Sequence, residues 1–144
     1  MGDCHDSITN YTKAIRLNPN DSRAYNNRGV AKYILEDKNG AITDYTEAIQ
    51  INPKDGIYYR NRGVAKSDLG DKIGAISDFT EAIRINSNDA CSYQYRGNAM
   101  FAVADKEQAL ANLNKAALIF HKENDTERYQ IVLKRIEEVR KTPQ

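Results

Sequence analysis

The sequence predicts an all-α fold, a solenoid of stacked helical hairpins, and three observations support this prediction. Residues 21–54 recur as residues 55–88 with 21 of 34 positions identical, and residues 89–122 form a looser third copy. Each copy holds two stretches of apolar residues with helical spacing, separated by a short polar turn. A period of about 34 residues is typical of repeats that bury their apolar faces only against their neighbours. Such a stack presents an extended binding surface rather than a catalytic pocket.

The first element, at residues 6–20, matches only the second helix of a repeat. Ile8, Tyr11 and Ala14 stand where the second helices of the full copies have their apolar residues. The first helix of that unit is therefore missing, and two explanations stay open. Either the chain is part of a longer array, or another molecule covers the exposed face of this helix.

Three full repeats follow, and each is a helix, a tight turn and a second helix. In the first repeat, the second helix places Ala41 and Ala48 on one face. Pro53 ends that helix, and Asp55 can cap the next one. Gly29 lies within the first helix, where glycine costs about 0.5–1 kcal/mol relative to alanine. Because an equivalent glycine recurs in each copy, we expect a close helix contact with these small alanines.

Residues 124–141 are predicted to form a helix that closes the stack. Its apolar stripe comprises Tyr129, Val132, Leu133 and Ile136. Its charged residues, expected mostly to face water, are Lys134, Arg135, Glu137, Glu138 and Arg140. Repeat proteins need such a polar terminal face for solubility. Residues 1–144 are therefore expected to form a single domain.

An arginine precedes each mid-helix glycine, and it is predicted to pair across its hairpin. Arg28 and Asp44 lie at equal distances from the turn between the two helices, as do Arg62 and Asp78. Pairs of this kind would fix the register of the helices. The alternative is that these arginines bind an acidic partner. In the third copy an amide replaces the carboxylate, so Arg96 is predicted to be the one most available for binding.

The motifs Tyr-x-x-Arg-Gly, Gly-Ala-Ile-x-Asp and Ala-Ile-x-Ile-Asn-Pro resemble the tetratricopeptide repeat family over nearly the whole chain. The matching positions are Tyr25, Gly29, Ala41, Tyr45, Ala48 and Pro53, then Tyr59, Gly63, Ala75, Phe79 and Ala82, then Tyr93, Gly97, Ala109 and Ala116. The chain departs from the family at Ser87 and His121, where proline is frequent, and at Leu113, where an aromatic residue is preferred. The resemblance implies a right-handed superhelix whose concave groove holds an extended peptide or a helix of a partner.

The residues that differ between copies lie on one stripe of the first helices, and the resemblance implies that this variable stripe faces the partner. It comprises Arg23, Asn26, Asn27, Val30 and Tyr33, then Ile57, Arg60, Asn61 and Val64, then Cys91, Gln94, Tyr95, Asn98 and Phe101. The central positions are predicted to be Arg60, Asn61, Tyr95 and Asn98. Their amides would bind a peptide backbone, and the aromatic rings would hold apolar side chains. The alternative, that these are solvated positions without a specific ligand, stays open.

One known mode of peptide binding in the family does not fit this chain. The chaperone-binding members clamp a C-terminal carboxylate with lysine, asparagine and arginine side chains from three successive first helices. The corresponding positions here hold Asn26, Val30, Asn61, Cys91 and Tyr95. Of these residues only Asn61 fits the clamp, and none of them is basic. We therefore do not expect this mode of binding.

Composition narrows the remaining function classes. The chain is 40% hydrophobic and 28% charged, as in a soluble globular domain. Its net charge of +1 offers no excess positive field, which disfavours the alternative that RNA bases stack on Tyr33, Tyr95 and Phe101. No apolar stretch approaches the roughly 18 residues of a membrane span, and the first residues lack a signal region. We therefore expect neither nucleic-acid nor membrane partners.

Catalytic and metal-binding motifs are not recognisable in the sequence. His5 and His121 come without a nearby ligand or nucleophile motif. Cys4 and Cys91 are expected to lie farther apart than the roughly 7 Å between Cα atoms that a disulfide allows, which indicates two free thiols in a reducing cytoplasm. We expect no enzyme, no metal site and no cofactor. The predicted function is a noncatalytic adaptor or scaffold; the alternative is a module that self-assembles through its N-terminal half-repeat.

Overall fold

The computed structural model describes residues 2–143, and 82% of these residues are helical. The eight helices are α1 (Gly2–Leu17), α2 (Ser22–Ile34), α3 (Lys38–Ile51), α4 (Gly56–Asp68), α5 (Lys72–Ile85), α6 (Ala90–Ala102), α7 (Lys106–Lys122) and α8 (Thr126–Lys141) within the described residues. No strand occurs in that part of the chain, so the predicted all-α class is confirmed. Met1 and Gln144, the ends of the predicted domain, lie outside the described residues.

The helices stack in chain order as a hairpin solenoid. α2 packs on α3, α4 on α5 and α6 on α7, and each hairpin then contacts the next. α1 packs on α2, and α8 packs on α7. The first helices also contact each other, α2 with α4 and α4 with α6. These three helices therefore lie side by side along one face of the stack.

Aspartates cap seven of the eight helices within residues 2–143, including the predicted caps at the repeat junctions. At α2, the Asp21 side chain accepts a hydrogen bond from the Ala24 backbone N–H at 3.1 Å. The aspartates at the starts of α3 and α5 to α8 likewise accept from the residue three positions on, and Asp55 at α4 accepts from Ile57, two positions on. An N-cap of this kind stabilises a helix by about 0.5–2 kcal/mol because it satisfies an otherwise unpaired backbone donor.

The repeated glycines mark a close helix contact, as predicted, but their nearest neighbours are aromatic or leucine side chains. A Cβ atom added at Gly63 would lie 2.7 Å from Cε1 of Phe79, and one at Gly29 would lie 2.7 Å from Cε1 of Tyr45. Ala41 also approaches Gly29, through its carbonyl oxygen at 3.3 Å. Ala48 is not among these nearest neighbours, so that part of the expectation is wrong. The glycine makes room for a ring of the second helix.

The predicted arginine pairs are confirmed. Arg28 donates from Nε and Nη2 to the two carboxylate oxygens of Asp44 at 2.8 and 2.7 Å. Arg62 binds Asp78 in the same way at 2.9 and 2.7 Å. Both carboxylates are buried, and the hydrogen bond to Asp44 raises the pKa of Arg28. These pairs hold the two helices of a hairpin in register.

Arg28 and Arg62 each make three side-chain hydrogen bonds within residues 2–143, whereas Arg96, predicted to be the most available for binding, makes two. Its Nε donates to Oδ1 of Asn112 at 2.8 Å, and its Nη1 donates to Oγ1 of Thr80 at 3.1 Å. Burial lowers the pKa of Arg96 because no carboxylate compensates for its desolvation. The amide thus preserves the hydrogen-bonding role of the missing carboxylate without its charge.

The hairpin turns place one residue in the left-handed region, and only one of the three is glycine. Gly70 has φ 91°, whereas Glu36 and Ala104 have φ 65° and 66° at the corresponding positions. A residue with a Cβ atom costs about 1–2 kcal/mol in this conformation. The first and third turns therefore carry a strain that the second turn avoids.

We expect Ala104→Gly to raise the free energy of unfolding by about 0.5–1 kcal/mol. The gain is smaller than the relieved strain because glycine also increases the entropy of the unfolded chain. Urea denaturation followed by circular dichroism measures this change. The reverse substitution, Gly70→Ala, serves as the control and is expected to lower the free energy of unfolding. A stabilising Gly70→Ala would contradict this account of the turns.

Candidate functional site

A cavity of about 370 Å³ lies on the face formed by the first helices, and we call it the central cavity. Its lining residues are Val30, Tyr33, Tyr45, Arg60, Asn61, Val64, Cys91, Tyr95 and Arg128. The variable stripe supplies seven of these nine residues, from α2, α4 and α6. The stripe therefore converges on one concavity, although only part of it takes part.

A second cavity of about 540 Å³ adjoins the central cavity at the starts of α4 and α6, and we call it the side cavity. The two cavities share Arg60, Cys91 and Arg128. Ile57, from the variable stripe, lines the side cavity together with charged residues such as Lys54 and Glu123. The concave face thus continues from an aromatic part into a charged part.

The central cavity has an apolar and aromatic wall. Val30 and Tyr95 are 36% and 38% exposed, so both are accessible to a ligand. The Tyr95 ring stacks on Phe79 with 5.7 Å between centroids, which holds Tyr95 in place from beneath. Tyr33 donates from its hydroxyl to Asp68, and burial and this hydrogen bond raise its pKa. A preformed wall of this type suits an apolar side chain of a ligand.

Arg60 is both a lining residue and a structural one. Its Nη1 donates to both carboxylate oxygens of Asp89 at 2.9 and 3.0 Å. Asp89 is buried, caps α6, and accepts a further hydrogen bond from Oγ of Ser92 at 2.7 Å. Removing the arginine would leave this carboxylate without its charged partner. The predicted central position Arg60 is therefore a poor choice for an alanine test of binding.

Two asparagines of the variable stripe bind each other. Nδ2 of Asn61 donates to Oδ1 of Asn26 at 2.9 Å, which links α4 to α2. Within residues 2–143, no partner is recorded for Oδ1 of Asn61 or Nδ2 of Asn26. The pair therefore offers one acceptor and one donor, the two groups that a peptide unit needs.

Asn98 and Phe101 are covered by the C-terminal helix and do not line the central cavity. Nε of Arg135 donates to Oδ1 of Asn98 at 3.0 Å, and its guanidinium carbon lies 5.0 Å from the centroid of the Phe101 ring. Arg135 is therefore the exception among the charged residues of α8 that were expected mostly to face water; the other four are exposed. Asn98 thus contacts α8 through its Oδ1 and lies outside the central cavity.

Three further residues of the stripe also lie outside the central cavity. Asn27 lines a separate cavity of about 250 Å³ between α1 and α2, with Cys4 and Tyr11. Arg23 is exposed and Gln94 is half-buried, and neither lines the central or the side cavity.

Sequence reasoning did not find Arg128 and Tyr45 as lining residues. Nη1 of Arg128, from α8, lies 3.6 Å from Sγ of Cys91. The bonds from α8 to α6, at Cys91 and Asn98, each span 37 residues. If α8 is aligned with the first helices of the repeats at a shift of 37 residues instead of 34, Arg128 falls at the position of Cys91. That alignment would have indicated Arg128 as a lining residue. Tyr45 belongs to a second helix, outside the stripe of first-helix residues that was compared, and is 2% exposed.

We expect the stability of the protein to fall between pH 9 and pH 11 by about 1 kcal/mol through Tyr45. Burial raises the pKa of Tyr45 to about 12. A phenol whose pKa is higher in the folded than in the unfolded chain stabilises the fold fully below about pH 10, and this contribution is lost as the pH rises towards 12. Tyr45→Phe should match the native protein at pH 8, because Phe79 fills the equivalent position, and should lose less stability at pH 11. If urea denaturation showed that both proteins lose the same free energy of unfolding between pH 8 and pH 11, a raised pKa of Tyr45 would not explain the loss.

Groups with catalytic potential are scarce in the described residues. No cluster of three or more metal-binding side chains occurs there. Cys4 and Cys91 are free thiols, and burial raises the pKa of Cys91, so this thiol is neutral at physiological pH. No helix in residues 2–143 has the length and apolar character needed to cross a membrane.

Comparison with protein-family models gives three matches. Models described as tetratricopeptide repeat match residues 22–55 and residues 58–89. A model described as TPR repeat matches residues 1–36. Together the three models cover more than half of the chain. No curated protein matches the chain.

Solved structures of similar fold are numerous. The TPR domain of Arabidopsis OM64 is 28% identical with a TM-score of 0.73, covering 81% of this chain and 94% of that domain. The TPR2B domain of yeast Sti1, in a complex with pHsp70, is 24% identical with a TM-score of 0.79, covering 82% and 94%. The first TPR of Spaghetti (RPAP3), bound to the HSP90 peptide SRMEEVD, is 20% identical with a TM-score of 0.69, covering 81% and 93%.

Proposed function

The chain belongs to the tetratricopeptide repeat family, and on this premise we propose that it is a noncatalytic adaptor. Its concave face binds a peptide or a helix of a partner protein. The observation that supports the proposal is the central cavity, which is open, preformed and lined mainly by the residues that vary between repeats. Stacked-repeat proteins use their extended concave surface for binding.

The chemistry of the central cavity suits a protein segment. Val30, Val64 and the Tyr95 ring provide a surface for one apolar side chain. The Asn26–Asn61 pair lies on the same helices and offers a donor and an acceptor for the backbone of that segment. Two of the similar structures are complexes with pHsp70 and with an HSP90 peptide, which supports the use of this fold for binding peptides.

The proposal is tested by capture from a lysate with three baits: the native chain, Val30→Lys and Leu118→Lys. The first substitution fills the central cavity with a long charged side chain. Leu118 is the matched control, because it is also an exposed apolar residue (46%) and lines neither cavity. We expect a partner that the native chain and Leu118→Lys capture and that Val30→Lys loses. Capture of the same proteins by all three baits would refute the groove as the binding site.

A second candidate function is self-association through α1. Asn10 is exposed in α1, whereas Asp44, at the equivalent position of α3, is 1% exposed because α2 covers it. Leu17, at the end of α1, is 88% exposed. A second copy that covered this helix would bury both residues. Sedimentation velocity tests this candidate function. A molar mass of one chain at every protein concentration would exclude self-association.

We propose that the half-repeat at residues 6–20, the repeats at 21–54, 55–88 and 89–122 and the capping helix at 124–141 act as one domain. Each of these units contacts its neighbour through packed helices, which supports this division. We also propose a cytoplasmic location, which the two free thiols favour.

A further inference from the structure

The junction between the central cavity and the side cavity is built from two arginines and a thiol. Arg60 comes from α4 and Arg128 from α8, and both line both cavities. Cys91, from α6, also lines both cavities, and its Sγ lies 3.6 Å from Nη1 of Arg128. Side chains from α4, α6 and α8 thus line this junction.

The lining of the central cavity contains both of these cations and no aspartate or glutamate among the described residues. Carboxylates line the side cavity instead, namely Asp55, Glu123 and Asp89, the last of which is buried beneath Arg60. Asp125 caps α8 and lies 3.5 Å from Nε of Arg128. The central cavity therefore presents positive charge next to its apolar wall.

Both guanidinium groups keep hydrogen-bond donors for a ligand. Arg60 uses only Nη1 for its two bonds to Asp89. The only hydrogen bond recorded for the Arg128 side chain within residues 2–143 is the weak one to sulfur. The thiol at the junction is neutral, because burial raises the pKa of Cys91, and so it does not repel an anion.

We propose, on the premise of the proposed function, that the partner segment carries an acidic side chain next to an apolar one. The apolar side chain occupies the central cavity against Val30, Val64 and Tyr95. The carboxylate binds Arg128 and the unused donors of Arg60 at the junction. Arginine suits this role because its planar donors match the two oxygens of a carboxylate. In an extended segment, side chains two positions apart point to the same side and lie about 6.6 Å apart along the chain, which agrees with one cavity adjoining the other.

The test begins with the selection of peptides that bind the native chain from a random dodecapeptide library displayed on phage. Selected peptides are synthesised, and their affinities are measured by fluorescence anisotropy for the native chain, for Val30→Lys and for Arg128→Gln. Arg84→Gln is the matched control, because Arg84 is similarly exposed (66% against 58%), also pairs with an acidic residue three positions away, and lines neither cavity. Arg60 is left unchanged because it holds the buried Asp89. Circular dichroism confirms that each variant is folded.

We expect the selected peptides to share an aspartate or glutamate within two residues of an aliphatic or aromatic residue. Arg128→Gln should weaken their binding about tenfold or more, and Arg84→Gln should not. Replacing the acidic residue of the peptide by its amide should cause a similar loss. The two changes together should cost less than the sum of each alone, because both remove one interaction. Binding to the native chain should also weaken as salt is added.

Three other outcomes would overturn the inference. Peptides that need Val30 but carry no acidic residue, or bind Arg128→Gln as well as the native chain, would contradict the inference and leave the proposed function intact. Absence of any peptide that distinguishes the native chain from Val30→Lys would count against the proposed function itself. A dimer that the selected peptides dissociate would identify a second copy of the chain as the occupant of the groove.

Discussion

Asp78→Ala is expected to lower the free energy of unfolding by about 3–5 kcal/mol. The carboxylate accepts two hydrogen bonds from Arg62 and lies 3.1 Å from Nζ of Lys66. It is buried between α4 and α5. Removing it leaves two partly buried cations without their counter-charge. The free-energy penalty of these unpaired charges exceeds the net contribution of the ion pair to stability. Urea denaturation followed by circular dichroism measures the loss.

The control for this prediction is supplied by the third repeat. There Asn112 accepts a hydrogen bond from Nε of Arg96 at 2.8 Å, so an amide is compatible with the packing. Asp78→Asn should therefore cost only about 1–2 kcal/mol, because one hydrogen bond to the arginine survives. If the alanine and asparagine variants were equally stable, hydrogen bonding at this position would not hold the hairpin together.

Phe79→Ala is expected to cost about 3–5 kcal/mol, as is usual for truncation of a fully buried aromatic side chain. Phe79 is 1% exposed, fills the space that Gly63 leaves open and packs against Ala75 and Ala99. The same ring supports Tyr95 in the central cavity. A loss of this size is a large part of the roughly 5–15 kcal/mol that stabilises a typical domain. Thermal and urea unfolding both measure it.

Phe79→Tyr separates the packing role of this ring from its effect on binding. Tyr45 occupies the equivalent position of the first repeat, beside Gly29. The tyrosine variant should therefore lose less than about 1.5 kcal/mol and keep the affinity of the native chain for the selected peptides. Phe79→Ala should bind those peptides more weakly even under conditions where it remains folded, because Tyr95 loses its support. Unchanged affinity of the folded alanine variant would show that the position of Tyr95 does not depend on this stack.

Much of the fold could be predicted from the sequence because it depends on local signals that recur. The 34-residue period placed Arg28 opposite Asp44 and Arg62 opposite Asp78, and the structure has both pairs. The period also showed that an amide replaces the carboxylate opposite Arg96. It did not show that this amide would still bind the arginine, because the outcome depends on side-chain geometry within the packed hairpin.

The binding face could be predicted only in part. Variation between copies correctly directed attention to one stripe of the first helices, and seven of its residues line the central cavity. It could not distinguish these from Asn98 and Phe101, which Arg135 covers. Arg128, which lines both cavities, lies outside the three copies that were compared.

The sequence by itself determined the class of fold, the order of the helices, their caps and the pairing within each hairpin. These features follow from the spacing of residues along a regular helix and from a repeat that is compared with its own copies. The tertiary structure alone decided which residues of the variable stripe remain open. α7 has 17 residues, whereas α3 and α5 have 14, so α8 meets α6 at a spacing of 37 residues instead of 34. This shift brings Arg135 over the end of the stripe and Arg128 to the junction of the cavities, and no repeat within the sequence records it.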